Sequence, residues 1–160
     1  MAQQTTVLQL VLNELGLENA ISTINERIAL QKVVCLVQEA GLQLGYSYNW
    51  YMRGPYSPSL ASDYYQIAAD QKGIDQDAAK FTLTAPARAA VKKVEGLLNP
   101  PQDVSLDRVG WLELLASIAF LKRRYRLPPE AAKNKIESSK PTLFPYFDNA
   151  NQALESAGFF

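Results

Sequence analysis

The chain contains 160 residues with equal numbers of acidic and basic side chains, so its formal net charge at pH 7 is zero. This length allows one domain with a real hydrophobic core, and the balanced charge disfavours a domain devoted to nucleic acid, which usually carries a basic excess. Histidine is absent from the sequence, which argues against zinc sites, serine triads and most acid–base catalysis. We therefore expect a non-enzymatic protein with no cofactor and no metal.

Cysteine usage and hydropathy indicate the compartment. Cys35 is the single cysteine, which excludes a disulfide within the chain and fits a reducing cytosol. It lies in an apolar helical run and has no histidine as a base, so we expect a buried, inert thiol. No stretch of 18 apolar residues is present, and the N-terminus lacks the basic region of a signal peptide. These features predict a cytoplasmic protein without a membrane segment.

Two helices are predicted in the first quarter of the chain. The first, over residues 5–16, has an apolar face formed by Val7, Leu8, Val11, Leu12 and Leu15. Residues 25–40 form the strongest predicted helix, and its apolar stripe is so broad that we expect a central, mostly buried position. Arg27, Gln31 and Lys32 are among its polar residues, and the first two share a face because they are four residues apart.

An aromatic strand and a stiff turn come next. Residues 46–52 alternate aromatic and polar side chains at first, which is typical of a strand. We call residues 53–60 the elbow; Gly54 tolerates positive φ there and precedes a proline with a fixed φ. Ser57 is a good N-cap for a helix predicted over residues 58–70.

The following segment predicts the wing of a winged-helix fold. Residues 72–83 contain short extended pieces around a polar turn, which permits a hairpin, and a helix is predicted over residues 85–98. In this arrangement the helix over residues 58–70 would be the recognition helix. It carries no Lys or Arg before Lys72, and Asp63 would face phosphate unfavourably. Reuse of the scaffold for protein contacts therefore suits the composition better than DNA binding.

The remaining chain predicts a helical extension. Helices are expected from residue 105 or 107 to about 125, over 129–138 and over about 145–157. The predicted fold is mainly α with a small β hairpin, in one domain that comprises a winged-helix-like core (5–98) and a C-terminal helical extension (103–160). The candidate nucleic-acid-binding residues are Lys122, Arg123, Arg124 and Arg126, with a solvated helix end as the alternative. Glu113 is expected on an exposed helix face.

Two short motifs in the first half resemble a known family. Leu30-Gln31-Lys32 on a helix, followed by Gly54-Pro55-Tyr56-Ser57-Pro58 at the elbow, resembles the SocA-like, or Panacea, antitoxin domain. The similarity is greater to the related YwgA-like group of uncharacterised bacterial and archaeal proteins, and it covers roughly residues 23–70. The resemblance implies a protein-binding domain whose partner is a toxin or another defence effector, neutralised by binding.

We expect the two motifs to lie together and form a polar groove. The predicted partner-binding residues are Arg27, Gln31, Lys32, Trp50, Arg53, Tyr56 and Asp63. Such a groove would hold an acidic segment or a chain terminus of a partner. The alternative is an internal network in which Arg27 or Lys32 pairs with Asp63 and holds the elbow to the helix. The leading functional hypothesis is a protein-interaction or regulatory domain, and the alternative is a DNA-binding winged-helix regulator.

Overall fold

A computed structural model describes residues 3–160 and contains, within them, eight α-helices and one two-stranded antiparallel sheet. The helices are α1 (Gln4–Leu15), α2 (Ile24–Glu39), α3 (Pro58–Ala69), α4 (Gln71–Ala78), α5 (Ala85–Glu95), α6 (Arg108–Ala119), α7 (Pro129–Ser139) and α8 (Phe147–Ser156). The strands are β1 (Asn49–Tyr51) and β2 (Gly54–Tyr56). A π-helical turn (Phe120–Arg124) continues α6, and a 3₁₀ turn (Phe144–Tyr146) precedes α8. The prediction of a mainly α fold with a small β hairpin is confirmed.

Helix α2 lies at the centre of the core, as its broad apolar stripe predicts. Its start is fixed by a capping box, in which Thr23 Oγ1 accepts from the Glu26 N–H and Glu26 Oε1 accepts from the Thr23 N–H. Every residue from Leu30 to Glu39 is buried. The polar side chains in that half of the helix must therefore find partners inside the protein, because an unpaired buried polar group is destabilising.

Helix α6 is the main packing partner of α2, although it belongs to the predicted C-terminal extension. The helix is buried over Leu114–Ala119, and Trp111 at its start donates its indole N–H to the Leu97 carbonyl at 2.9 Å. One continuous hydrophobic cluster includes side chains from α1, α2 and α5 as well as from α6, α7 and α8. The predicted core and extension thus share their buried side chains.

The hairpin lies elsewhere than predicted. Within the predicted wing, residues 72–78 all belong to helix α4. This helix begins directly after α3, because the Asp70 side chain caps it by accepting from the Gly73 N–H. The hairpin is formed instead by β1 and β2, with Asn49 opposite Tyr56. A wing over residues 72–83 is therefore wrong, and the elbow itself supplies a strand.

Within residues 3–160, no helix is both long enough and apolar enough to cross a bilayer.

Candidate functional site

The elbow is attached to α2 by two buried polar side chains. Gln31 donates its amide N–H to the Ser57 carbonyl and accepts from the Ser57 N–H, both at 2.9 Å. Lys32 donates through Nζ to the carbonyls of Arg53 and Pro55. The predicted contact between the two motifs is confirmed, since the residues of each motif satisfy buried polar groups of the other.

The alternative, an ion pair of Asp63 with Arg27 or Lys32, is wrong. Asp63 accepts a hydrogen bond at 2.7 Å from the hydroxyl of Tyr46, whose pKa is raised by burial and by this carboxylate. Arg27 donates to the Ile21 carbonyl at 2.9 Å, in the segment that leads into α2. The elbow is therefore held by lysine and glutamine hydrogen bonds to backbone carbonyls and amides, and Asp63 contributes to a different contact.

A second buried lysine, Lys140, also contacts the hairpin. Lys140 Nζ lies 2.8 Å from Glu113 Oε2, and the two side chains are only 3% and 13% exposed. The same ammonium lies 3.5 Å from the Met52 carbonyl and 5.4 Å from the Trp50 ring centre. The expectation of an exposed Glu113 is wrong, because this carboxylate neutralises a lysine contributed by a distant part of the chain.

Burial also changes the acidity of Lys32. Removal from water lowers the pKa of this ammonium from 10.5 to about 8, and the nearby charge of Glu113 partly opposes the shift. The side chain is 2% exposed. Lys32 thus lies beneath the hairpin as a donor to two carbonyls rather than as an amine open to solvent.

Gly54 permits the close approach of the hairpin to α6. Its φ is +85°, and a Cβ at this position would lie 2.5 Å from Ser117 Oγ and 3.5 Å from Lys140 Cε. The Ser117 hydroxyl is buried without a hydrogen-bond partner among the described residues. Any side chain at position 54 would therefore displace the hairpin from α6 and strain its turn.

A cavity of about 470 Å³ opens between α2, the hairpin and α3, and we call it the groove. Its lining residues are Ile24, Arg27, Ile28, Gln31, Lys32, Tyr51, Met52, Arg53, Gly54, Tyr56, Pro58, Tyr64 and Tyr65. Five of the seven predicted partner-binding residues thus lie together here, and the two exceptions are Trp50 and Asp63. Met52, at the tip of the hairpin, is 95% exposed, and sequence reasoning did not identify it.

Trp50 faces away from the groove. Its ring centre lies 5.4 Å from Lys140 Nζ and 5.9 Å from Lys135 Nζ, and its backbone N–H donates to the Tyr125 hydroxyl at 3.3 Å. Successive residues of a strand point to opposite sides, so Tyr51 lines the groove while Trp50 covers the α6–α7 side. The sequence shows that neighbouring side chains of β1 alternate between two sides, but it does not show which side of the strand faces α2.

The basic residues after α6 make internal contacts. Arg123 donates to the Phe159 carbonyl at 2.8 Å, and Arg124 lies 3.3 Å from the carboxylate of Glu39, whose pKa is raised by burial against the opposing pull of both arginines. Lys122 donates to Asn151 Oδ1 at 2.9 Å. Arg126 is exposed and has a positive φ of 55°. Three of these four predicted nucleic-acid contacts therefore join α2, α8 and the C-terminal residues.

Comparison of the chain with protein-family models, with curated proteins and with solved structures gave no match. Among residues 3–160, no group of three or more cysteine, aspartate or glutamate side chains is arranged to hold a metal ion.

Proposed function

We propose that this protein is a non-enzymatic cytoplasmic interaction domain that binds a partner protein through the groove. The observation that carries the proposal is the clustering of exposed apolar surface. Seven large apolar or aromatic side chains of the described chain are exposed, and four of them line the groove: Ile24, Tyr51, Met52 and Tyr65. Such clustering is typical of protein-binding sites, and Tyr and Arg are enriched among the residues that dominate binding energy.

Hydrogen bonds from buried side chains order the backbone of the groove before any partner binds. Gln31 and Lys32 hold the elbow, and Lys140 Nζ lies 3.5 Å from the Met52 carbonyl. A site that is already ordered loses less conformational entropy when a partner binds, so more of the contact energy appears as affinity. The expected mechanism is occlusion, in which the groove covers a functional surface of the partner.

The resemblance to Panacea and YwgA-like proteins supports the same function. The two motifs that carry it meet at the base of the groove, where Gln31 contacts Ser57. An antitoxin-type role, in which a toxin or defence effector of a bacterial or archaeal cell is neutralised by binding, is the form of the proposal that these motifs favour.

The test compares capture of a partner from cells of the source organism by the tagged protein and by two variants. Met52→Ser combined with Tyr65→Ser removes apolar surface from the groove, and Phe81→Ser removes an exposed aromatic side chain outside it. We expect one specific protein to co-purify with the native chain and with the Phe81 variant but not with the double variant. A monomer without a partner in every preparation, or equal capture by all three, would contradict the proposal.

The DNA-binding alternative has less support. Its predicted wing is largely helix α4, and Arg123 and Arg124 contact Phe159 and Glu39. Binding to phosphates would release counterions, so affinity would fall steeply with salt. A steep salt dependence of binding to a DNA duplex would favour this alternative, and no binding at low salt would remove it.

A further inference from the structure

The charges that border the groove have one sign. Arg27, Lys32 and Arg53 line it, whereas no aspartate or glutamate does. Within residues 3–160, neither arginine lies within 4.0 Å of a carboxylate oxygen. A net positive lining in a chain with zero net charge is a local feature, and it selects the charge of what binds there.

Each of the three cations contributes differently to this field. Lys32 is buried and donates to the carbonyls of Arg53 and Pro55, so its charge acts on the groove without direct contact with a ligand. Arg27 is half-buried and donates one N–H to Ile21, which leaves further donors on the guanidinium. The Arg53 side chain is exposed. The two arginines are therefore the groups that a bound anion would contact.

Arg53 also borders a neighbouring cavity that contains two carboxylates, Asp107 and Glu113. Both are already engaged, because Asp107 accepts from the Gly110 N–H at the start of α6 and Glu113 pairs with Lys140. Neither carboxylate lines the groove. Because Arg53 forms no ion pair with either carboxylate among the described residues, its guanidinium can turn to a ligand in the groove.

We propose, on the premise that the groove is the partner-binding site, that its occupant is an acidic segment of another protein in which a carboxylate lies next to an apolar or aromatic side chain. Arginine binds carboxylates through two parallel N–H···O bonds, which fixes orientation as well as charge. Ile28, Met52 and Pro58 supply the apolar walls that would take the neighbouring side chain.

Other occupants fit the groove less well. Single-stranded nucleic acid needs a cationic track along its backbone as well as aromatic platforms. Tyr51, Tyr56, Tyr64 and Tyr65 line the groove, but it offers only two accessible arginines for the phosphates. The last residues of a second copy fit less well, because Phe159 is packed in its own core with its carbonyl bonded to Arg123, and Phe160 alone is exposed there.

The experiment selects binders from a displayed library of random 12-residue peptides and measures them by fluorescence anisotropy. We expect selected peptides to combine Asp or Glu with Leu, Phe or Trp, and to lose binding to the Met52→Ser, Tyr65→Ser double variant. Their affinity should fall about tenfold or more in Arg53→Gln and in Arg27→Gln, because each substitution removes a charged hydrogen-bond donor to the carboxylate of the peptide. Lys72→Gln, which removes an exposed charge outside the groove, is the matched control and should change affinity less than about twofold.

Arg53→Glu adds a test that does not depend on loss of binding, since this variant should prefer peptides with Lys in place of the acidic residue. Thermal unfolding identifies any variant that fails to fold, and the Arg53 variants alone then decide the result. Neutral or basic peptides that need Met52 and Tyr65 but ignore both arginines would overturn the acidic partner and leave the proposed function standing. If no selected peptide depends on the groove, the premise itself is overturned.

Two other occupants have their own outcomes. If a 12-nucleotide thymidine oligomer binds more tightly than every peptide and depends on the two arginines, the occupant is nucleic acid rather than an acidic segment. If the protein forms dimers at high concentration and the Arg53 variants abolish them, the occupant is a second copy.

Discussion

Lys32 combines a charge that burial disfavours with hydrogen-bond donors that the hairpin requires. Its ammonium is nearly inaccessible, and burial lowers its pKa to about 8. A neutral amine still has two N–H groups, one for each of the carbonyls of Arg53 and Pro55. Lys32 can therefore lose its proton in alkaline solution and continue to hold the elbow.

This property predicts a pH dependence of stability. Between pH 8 and pH 10.5 the unfolded chain retains the Lys32 proton that the folded chain releases, so the contribution of Lys32 to the free energy of unfolding rises with pH. Burial of Cys35 and Tyr48 raises the pKa of both groups and acts in the opposite direction above their ordinary values. We therefore compare the native chain with Lys32→Met by urea unfolding from pH 7 to pH 10.5, since the other groups are common to both. The free energy of unfolding of the native chain minus that of the variant should rise with pH by a few kcal/mol at most, because each unit of pKa difference is worth about 1.36 kcal/mol. If the two proteins give parallel curves of stability against pH, the lowered pKa of Lys32 is contradicted.

The Glu113–Lys140 pair makes a second prediction at this scale. Lys140→Met leaves the carboxylate of Glu113 largely buried without its cation, which should lower the free energy of unfolding by about 3–5 kcal/mol. Adding Glu113→Leu removes the stranded charge, so the double variant should be more stable than Lys140→Met alone. Denaturant unfolding of the native chain, the two single variants and the double variant measures the coupling energy between the two side chains. If the effects of the two substitutions simply add, the pair is not coupled.

At the scale of elements, the hairpin depends on the helices around it. Each strand has three residues, and an isolated two-stranded hairpin is marginal at best in water. Its carbonyls at Arg53 and Pro55 bond to α2, and Gly54 lies against Ser117 of α6. The shape of the groove thus rests on side chains outside the hairpin.

Gly54→Ala tests this dependence. A Cβ at position 54 would clash with Ser117 Oγ, and the alanine backbone would be strained at the positive φ of this position. We therefore expect the free energy of unfolding to fall by about 2 kcal/mol or more. Gly96→Ala is the control, because its φ is −72° and a Cβ there meets nothing within 4 Å. Adding Ser117→Ala should restore the part of the loss that comes from the clash. Equal melting temperatures for Gly54→Ala and Gly96→Ala would refute the close approach.

Sequence periodicity predicts the helices well, since apolar spacing records which face is buried. It misplaces the hairpin for two physical reasons. A single residue, Asp70, ends α3 and caps α4, so no break in composition marks the second helix. Strand β2 contains Gly54 and Pro55, residue types that are depleted in strands. Pro55 is tolerated there because both strands of a two-stranded sheet are edge strands, where a residue without an N–H donor can be accommodated.

The candidate site shows a similar division. Gln31 and Lys32 are identified by their motif because their partners lie in the second motif, only 21 to 26 residues away. Lys140 is not, because neither it nor Glu113 lies in either motif and its contact to Met52 spans 88 residues. Which side of the hairpin faces α2 depends on such distant packing, so the sequence alone predicts Trp50 rather than Met52 in the groove.

For the whole molecule, the C-terminal residues are part of the core. Phe159 is 2% exposed within the hydrophobic cluster, and its carbonyl accepts from Arg123, which also lies 3.7 Å from Glu39 of α2. Arg123 and Arg124 thus connect the C-terminal end of α2 with the last residues of the chain. Their arrangement offers a structural reason for a local excess of arginine in a chain without net charge.

Two adjacent phenylalanines allow this arrangement to be tested with a matched pair. Phe159→Ala removes a fully packed ring and should lower the free energy of unfolding by about 3–5 kcal/mol. Phe160 is 45% exposed and has Lys122 Nζ 4.0 Å from its ring centre, so Phe160→Ala should lower it by about 1 kcal/mol or less. Urea unfolding of both variants, followed by far-ultraviolet circular dichroism, measures the difference. If the two substitutions have equal effects, the C-terminal residues do not pack as described. If Phe159→Ala unfolds in two steps, the helices after residue 103 are less tightly coupled to α2 than the shared core implies.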